Sequence, residues 1–165
     1  MQAYAKHAKD LDTDPNGDFP SEVHDYFGTG TQLQEMYVTP SLLKASDWDT
    51  IAEAANWSRA NADVLVDSHW VGGDPKKLEV YGWAAWSPRK GILTLRNPRD
   101  KQQAISLDVA EIFELPSGAA TSYDVRSPWK ADAHDPIIRL MARQKHTFEL
   151  KPFQVINLEM TPRER

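Results

Sequence analysis

The stretch VYGWAAWSPRKGILTLRNP (80–98) decides the fold. It reads as two extended segments joined by a turn. Val80, Gly82, Ala84 and Trp86 alternate with Tyr81, Trp83 and Ala85, so neither face of the first segment is polar. Ser87-Pro88-Arg89-Lys90-Gly91 supplies the turn: Pro88 fixes its own φ, and Gly91 tolerates a positive one. The chain is then extended from Ile92 to Arg96, with Leu93 and Leu95 expected on the second face, that of Tyr81 and Trp83. A hairpin apolar on both faces needs cover on both sides, which places it centrally in a sheet or sandwich.

Downstream of the hairpin, extended segments recur about every ten residues, the spacing of an all-β sandwich or barrel. Strands are expected near 78–86, 91–96, 102–109, 111–115, 121–126, 137–142, 146–150 and 153–160. Ile105, Leu107 and Val109 alternate with Ser106 and Asp108; Tyr123 and Val125 with Asp124 and Arg126; Phe148 and Leu150 with Thr147 and Glu149. Ile156, Leu158 and Met160 alternate with Asn157 and Glu159. One face in and one face out is the mark of antiparallel sheets. Asn97-Pro98, Pro116-Ser117-Gly118, Ser127-Pro128 and Pro152 separate the runs.

Upstream the pattern changes. Residues 46–60 carry a helical period, with Ser46 as the candidate N-cap and Asp47 and Asp49 in the first turn. Trp48, Ile51, Ala52, Ala55 and Arg59 define its expected inner stripe, widened by Ala54 and Trp57. Val64-Leu65-Val66 reads as extended, and Gly72-Gly73-Asp74-Pro75 breaks the chain. Residues 33–39 alternate like a strand. Residues 1–21 are polar, with Asp10, Asp12, Asp14 and Asp18 around Pro15-Asn16-Gly17, and residues 2–9 could end a helix. The fold class is therefore mainly β: an antiparallel β-sandwich of about eight strands over 76–165, preceded by a segment with a strand and a helix over 1–75.

Composition excludes several functions. The formal net charge is −5 and no Lys/Arg block stands out, which argues against a nucleic-acid partner. There is no cysteine, hence no disulfide framework and no thiolate-bound zinc. No apolar run reaches the roughly 18 residues of a membrane helix, so no membrane partner is expected. Compartment stays open. Asp67, His69 and Asp74, and again Asp132, His134 and Asp135, lack the spacing of a metal site; neither metal nor cofactor is expected. Gly28-Thr29-Gly30-Thr31 is not followed by the Gly-Lys-Ser/Thr of a phosphate loop. Six tryptophans are many for 165 residues; Trp70, Trp86 and Trp129 are candidates to stack on sugar rings, and two coplanar exposed tryptophans would mark a carbohydrate-binding module.

Five segments together carry a resemblance: GTGTQLQEMYVTP (28–40), WSRANADVLVDSHWVGGDP (57–75), the hairpin at 80–98, YDVRSPW (123–129) and HTFELKPFQVINLEMTP (146–162). Their order resembles the C-terminal region of α-galactosidase-like glycoside hydrolases, where the last strand and helix of a (β/α)8 barrel lead into a β-sandwich. The same segments are similar to bacterial glycosidase-like proteins labelled enterotoxin. The resemblance implies an accessory domain that stabilises a catalytic barrel belonging to the same polypeptide, with carbohydrate as the ligand class. It also implies that the two barrel carboxylates, about 5–5.5 Å apart in retaining enzymes, lie on earlier strands, so no catalytic residue is assigned in this chain. Catalytic groups gather at the C-terminal ends of barrel strands. By that placement Tyr37, Thr39 and Glu35 are substrate-binding candidates, and His69 and Trp70 approach the rim. A free-standing carbohydrate-binding module or a non-catalytic interaction domain is the alternative.

Overall fold

The computed structural model describes residue 14, residues 17–31 and residues 33–163. The reading of residues 2–9 as a helix end, and Asp10, Asp12, Pro15 and Asn16 of the acidic run, lie outside these. Helices α1 (Phe19–Gly28), α2 (Ala45–Ala60) and α3 (Ala62–Leu65) precede β1 (His69–Gly72), β2 (Tyr81–Ser87), β3 (Lys90–Arg96) and β4 (Gln103–Asp108). There follow α4 (Val109–Ile112), β5 (Ser122–Arg126), β6 (Ile138–Met141), β7 (Lys145–Leu150) and β8 (Val155–Pro162). A six-stranded antiparallel sheet runs β1-β2-β3-β8-β5-β6, and β4 and β7 pair as a separate ribbon.

The hairpin is central, as its two apolar faces require. One face carries Ala84, Leu93, Leu95, Val125 and Met160 against Phe148, Leu150, Ile112 and Phe113 of the ribbon and α4. The opposite face carries Ala85 and Ile92 against Val64 and Leu65 of α3. The result is an antiparallel sandwich with a layer of helices on the outside of its larger sheet. Leu93 pairs with Ala84 and Leu95 with Gly82. Directly paired residues share a face, so both leucines lie on the ribbon side and not on the Tyr81–Trp83 side expected for them. Ser87 pairs with Lys90, which shortens the turn to Pro88-Arg89. Gly91 is not left-handed. Its missing side chain makes room for the Phe113 ring, which would lie 2.5 Å from a Cβ there.

Several expected elements differ. Residues 33–39 form no strand: among the described residues no other segment pairs with them, and a period-two pattern needs a partner before it becomes a ladder. Residues 64–66 are not extended; the Asn61 carbonyl accepts from the Val64 and Leu65 N–H groups at 3.0 and 2.9 Å, starting α3. Short apolar runs do not separate helix from strand. In place of a strand at 111–115 the chain turns into α4, because the Asp108 carboxylate accepts from the Ala110 N–H at 2.8 Å as an N-cap. The 46–60 helix begins at Ala45 with Lys44 as its cap, and Asp47 reaches back to the Lys44 N–H at 2.8 Å. Ser46 does not cap it. Its inner face is Ile51, Ala54 and Ser58 with Trp57, while Trp48, Ala52 and Arg59 face solvent. Alanines on every side of α2 leave two neighbouring stripes equally apolar in sequence. Finally, β1 lies ahead of residue 76 yet belongs to the large sheet, where Trp70 pairs with Trp83.

Candidate functional site

The residues singled out as substrate-binding candidates fall in two places. Glu35, Tyr37 and Thr39 lie on the unpaired connection between α1 and α2. The Tyr37 hydroxyl donates to the Glu35 carboxylate at 2.7 Å, a bond that raises the tyrosine's pKa. Tyr37 is 65% exposed and Leu33 79%. Tyr37 and Thr39 join Phe19, Val23, Tyr26 and Leu43 around an apolar groove of about 60 Å³. Gln34 turns the other way and donates to the Ser58 hydroxyl of α2 at 2.8 Å.

His69 and Trp70 lie on β1. The His69 Nε2–H donates to the Ile112 carbonyl at 2.8 Å, tying β1 to α4, so its imidazole is already engaged in the fold. Trp70 is 47% exposed and stacks on Tyr81 with ring centroids 4.9 Å apart and planes 5° from parallel. Trp83 meets both edge-on, at 5.6 and 5.7 Å. Of the other tryptophan candidates, Trp129 is buried beneath α1 and Trp86 packs into the inter-sheet core. The flat pair of exposed tryptophans expected of a binding module is therefore not formed.

Beneath α1 runs a polar seam that sequence reasoning did not isolate. Buried Thr94 and Asn157 share a hydrogen bond of 2.9 Å and donate to the Gly28 and His24 carbonyls. The Trp129 indole donates to Asn157, and His24 stacks on Trp129 with centroids 3.8 Å apart. Burial lowers the His24 pKa to about 4, against the smaller upward pull of Glu53 and Asp132. A Cβ on Gly28 would collide with Thr94 Oγ1 and Asn157 Nδ2, so only glycine lets α1 lie this near the sheet. At the end of the seam Arg96 grips Glu22 and Asp25 of α1, its Nη1 lying 2.9 Å from the Asp25 carboxylate. Burial raises the Asp25 pKa, and Arg96 opposes that rise. For Arg96 itself burial works downward, but the two carboxylates outweigh it and raise its pKa. At the opposite end Glu159 accepts from the Trp57 indole at 2.8 Å and from Lys90 at 2.7 Å. The signal for this seam was a polar residue at alternate positions of two central strands, Thr94 and Asn157, which pair directly.

Among the described residues no three His, Asp or Glu side chains are placed to hold a metal ion. Asp74 instead accepts from the Lys76 N–H, and Asp132 from the Ser127 hydroxyl. No described helix is long and apolar enough to cross a membrane.

No family model matches this sequence, and no curated protein matches it either. Solved structures do. A candidate α-N-acetylgalactosaminidase from Bacillus halodurans superposes with a TM-score of 0.62 over 87% of this chain at 14% identity. An α-galactosidase from Saccharomyces cerevisiae, solved with raffinose, gives 0.58 over 88% at 12% identity. A candidate α-galactosidase from Bacteroides fragilis gives 0.53 over 88% at 9% identity. The chain spans 31%, 44% and 28% of those three chains respectively. At such low identity the likeness is one of fold, and the fold is one that glycoside hydrolases of the α-galactosidase type contain as part of a longer chain.

Proposed function

We propose that this chain is the accessory C-terminal part of an α-galactosidase-like glycoside hydrolase, packing against and steadying a catalytic barrel. In this reading residues 1–75 stand where a barrel ends and residues 76–165 form the sandwich, with β1 already crossing into its sheet. The observation that carries the proposal is the match of nearly the whole chain to a minor part of three larger enzymes. A second supports it: the sequence of 33–39 alternates as a strand's would, but among the described residues no strand pairs with it. Contact with substrate by Glu35, Tyr37 and Thr39, or by His69 and Trp70, belongs to the same proposal. His69 would then act by holding β1 in place, since its Nε2–H is bonded to Ile112.

Two measurements test this. Given para-nitrophenyl α-galactoside or the corresponding N-acetyl-α-galactosaminide, the chain alone is expected to release no nitrophenol above the buffer rate. The genomic sequence immediately upstream of Met1 is expected to encode a (β/α)8 barrel carrying two catalytic carboxylates. Turnover by this chain alone, or upstream sequence with no such barrel, overturns the proposal.

A further inference from the structure

Two surface stretches have backbone groups that no strand meets, and their side chains are reciprocal. The first is the margin of the large sheet at β6. The Ala142 N–H donates to the Thr121 carbonyl at 2.9 Å, in register with the β5–β6 ladder. Residues 138 and 140 therefore turn their backbone groups toward β5. Residues 139 and 141 turn theirs outward, where among the described residues no strand pairs with them. Arg139 pairs with Asp124 and its neighbour Leu140 is buried in the core, so Arg139 and Met141 share the outer face. Ile137, just ahead of the strand, is 62% exposed. Positive charge is in excess here. Arg139 nears the Asp124 carboxylate only through Nε, at 3.6 Å, and Arg163 already holds that carboxylate at 3.1 Å.

The second stretch is 33–39. Gln34 bonds to Ser58 and Met36 packs against the core beneath α1 and α2, whereas Leu33, Glu35 and Tyr37 are exposed. No described backbone–backbone hydrogen bond involves residues 33–38. Tyr37 bonds to Oε1 of Glu35, and none of the described ion pairs includes that carboxylate.

We propose that residues 33–39 of one copy of this chain add as an extra strand to the β6 margin of a second copy. With Glu35 set opposite Arg139, Leu33 and Tyr37 fall opposite Ile137 and Met141, whichever way the added strand runs. Each stretch thus offers the other an apolar residue, an opposite charge and a second apolar residue. Like against like does worse: β6 centred on β6 opposes two arginines, and 33–39 centred on itself opposes two glutamates. The contact joins two different patches, so every copy keeps one of each for the next. It is a property of this chain by itself and does not depend on the hydrolase reading. Self-association and glycoside turnover are measured separately, so either can fail without the other.

The test is sedimentation velocity of the whole chain from micromolar to near-millimolar concentration. The weight-average sedimentation coefficient is expected to rise with concentration. Arg139→Glu and Glu35→Arg, both at exposed positions, are each expected to weaken association at least about tenfold, the scale of a like-charge pair at a contact. An equal mixture of the two variants restores opposite charges at every contact and is expected to associate like the parent. Asp100→Arg, which changes net charge as Glu35→Arg does but in a distant loop, is expected to leave association unchanged. A coefficient that does not rise with concentration overturns the inference. So does association that survives both reversals, or a mixture that associates no better than its components.

Discussion

Among single residues, His24 has the most to say about solution behaviour. Its ring lies between α1 and the sheet, stacked on Trp129, and its Nε2 is buried without a hydrogen-bond partner. Burial takes its pKa from 6.5 in the unfolded chain to about 4 in the fold. Between those values the unfolded chain binds more protons, so this contribution is whole above pH 6.5 and is lost as pH falls toward 4. Part of the ring stays open to solvent, so we take its size as about 2 kcal/mol, below the full linkage value. Asp25 has the opposite sign: its pKa is raised by burial, so it favours the fold as pH falls. Comparing two proteins isolates the histidine. From about pH 7 to about pH 4.5, the wild type's urea unfolding free energy should fall by about 2 kcal/mol more than that of His24→Phe. Parallel slopes would show that His24 does not titrate with folding. Nothing in the sequence marks His24, because its state depends on Trp129, more than a hundred residues away.

At the scale of elements, the hairpin and most strands were legible because alternation and turn residues are local signals. Elements set by partners were not. Residues 33–39 have a strand's pattern without a strand's neighbour, and β1 reads as a linker until its pairing with β2 is known. Of the two helices read as strand, α4 had a visible cause in Asp108, an N-cap residue at the end of a strand. Among candidate site residues, Trp70 was visible as an aromatic next to a break. Its partners Tyr81 and Trp83 were visible as a pair, but the register joining the three was not. The docking of α1 also depends on register, since Arg96 meets Glu22 and Asp25 across the layer boundary. Arg96→Ala should leave the Asp25 carboxylate buried with its counter-charge removed and cost about 3 kcal/mol. The α1 amides should then exchange with solvent deuterium faster than those of β3 and β8. Uniform protection across α1, β3 and β8 in the variant would refute a docking role for the clamp.

For the whole molecule, the question is whether 1–75 and 76–165 behave as one unit. Among the described residues the helices cover Ala85 and Ile92 and accept from Thr94 and Asn157 on the outer face of the central strands. Separating the segments would expose that face. The polar seam would also lose the Gly28 and His24 carbonyls that accept from Thr94 and Asn157. Heating followed by far-ultraviolet circular dichroism and by tryptophan fluorescence should therefore give one coincident transition. Two separated transitions would mean that the helical layer melts off a self-sufficient sandwich.

The large sheet ends at β6, whose outer surroundings include Ile137, Ile138 and Met141, all exposed. An apolar strand at a sheet margin has backbone donors and acceptors with no neighbour, and it invites another extended chain to add to it. Arg139 in its middle is the one charge set against that tendency. In a concentrated sample, this margin is where molecules would begin to adhere, and a second positive charge at Ile138 is the smallest edit that would keep them in solution.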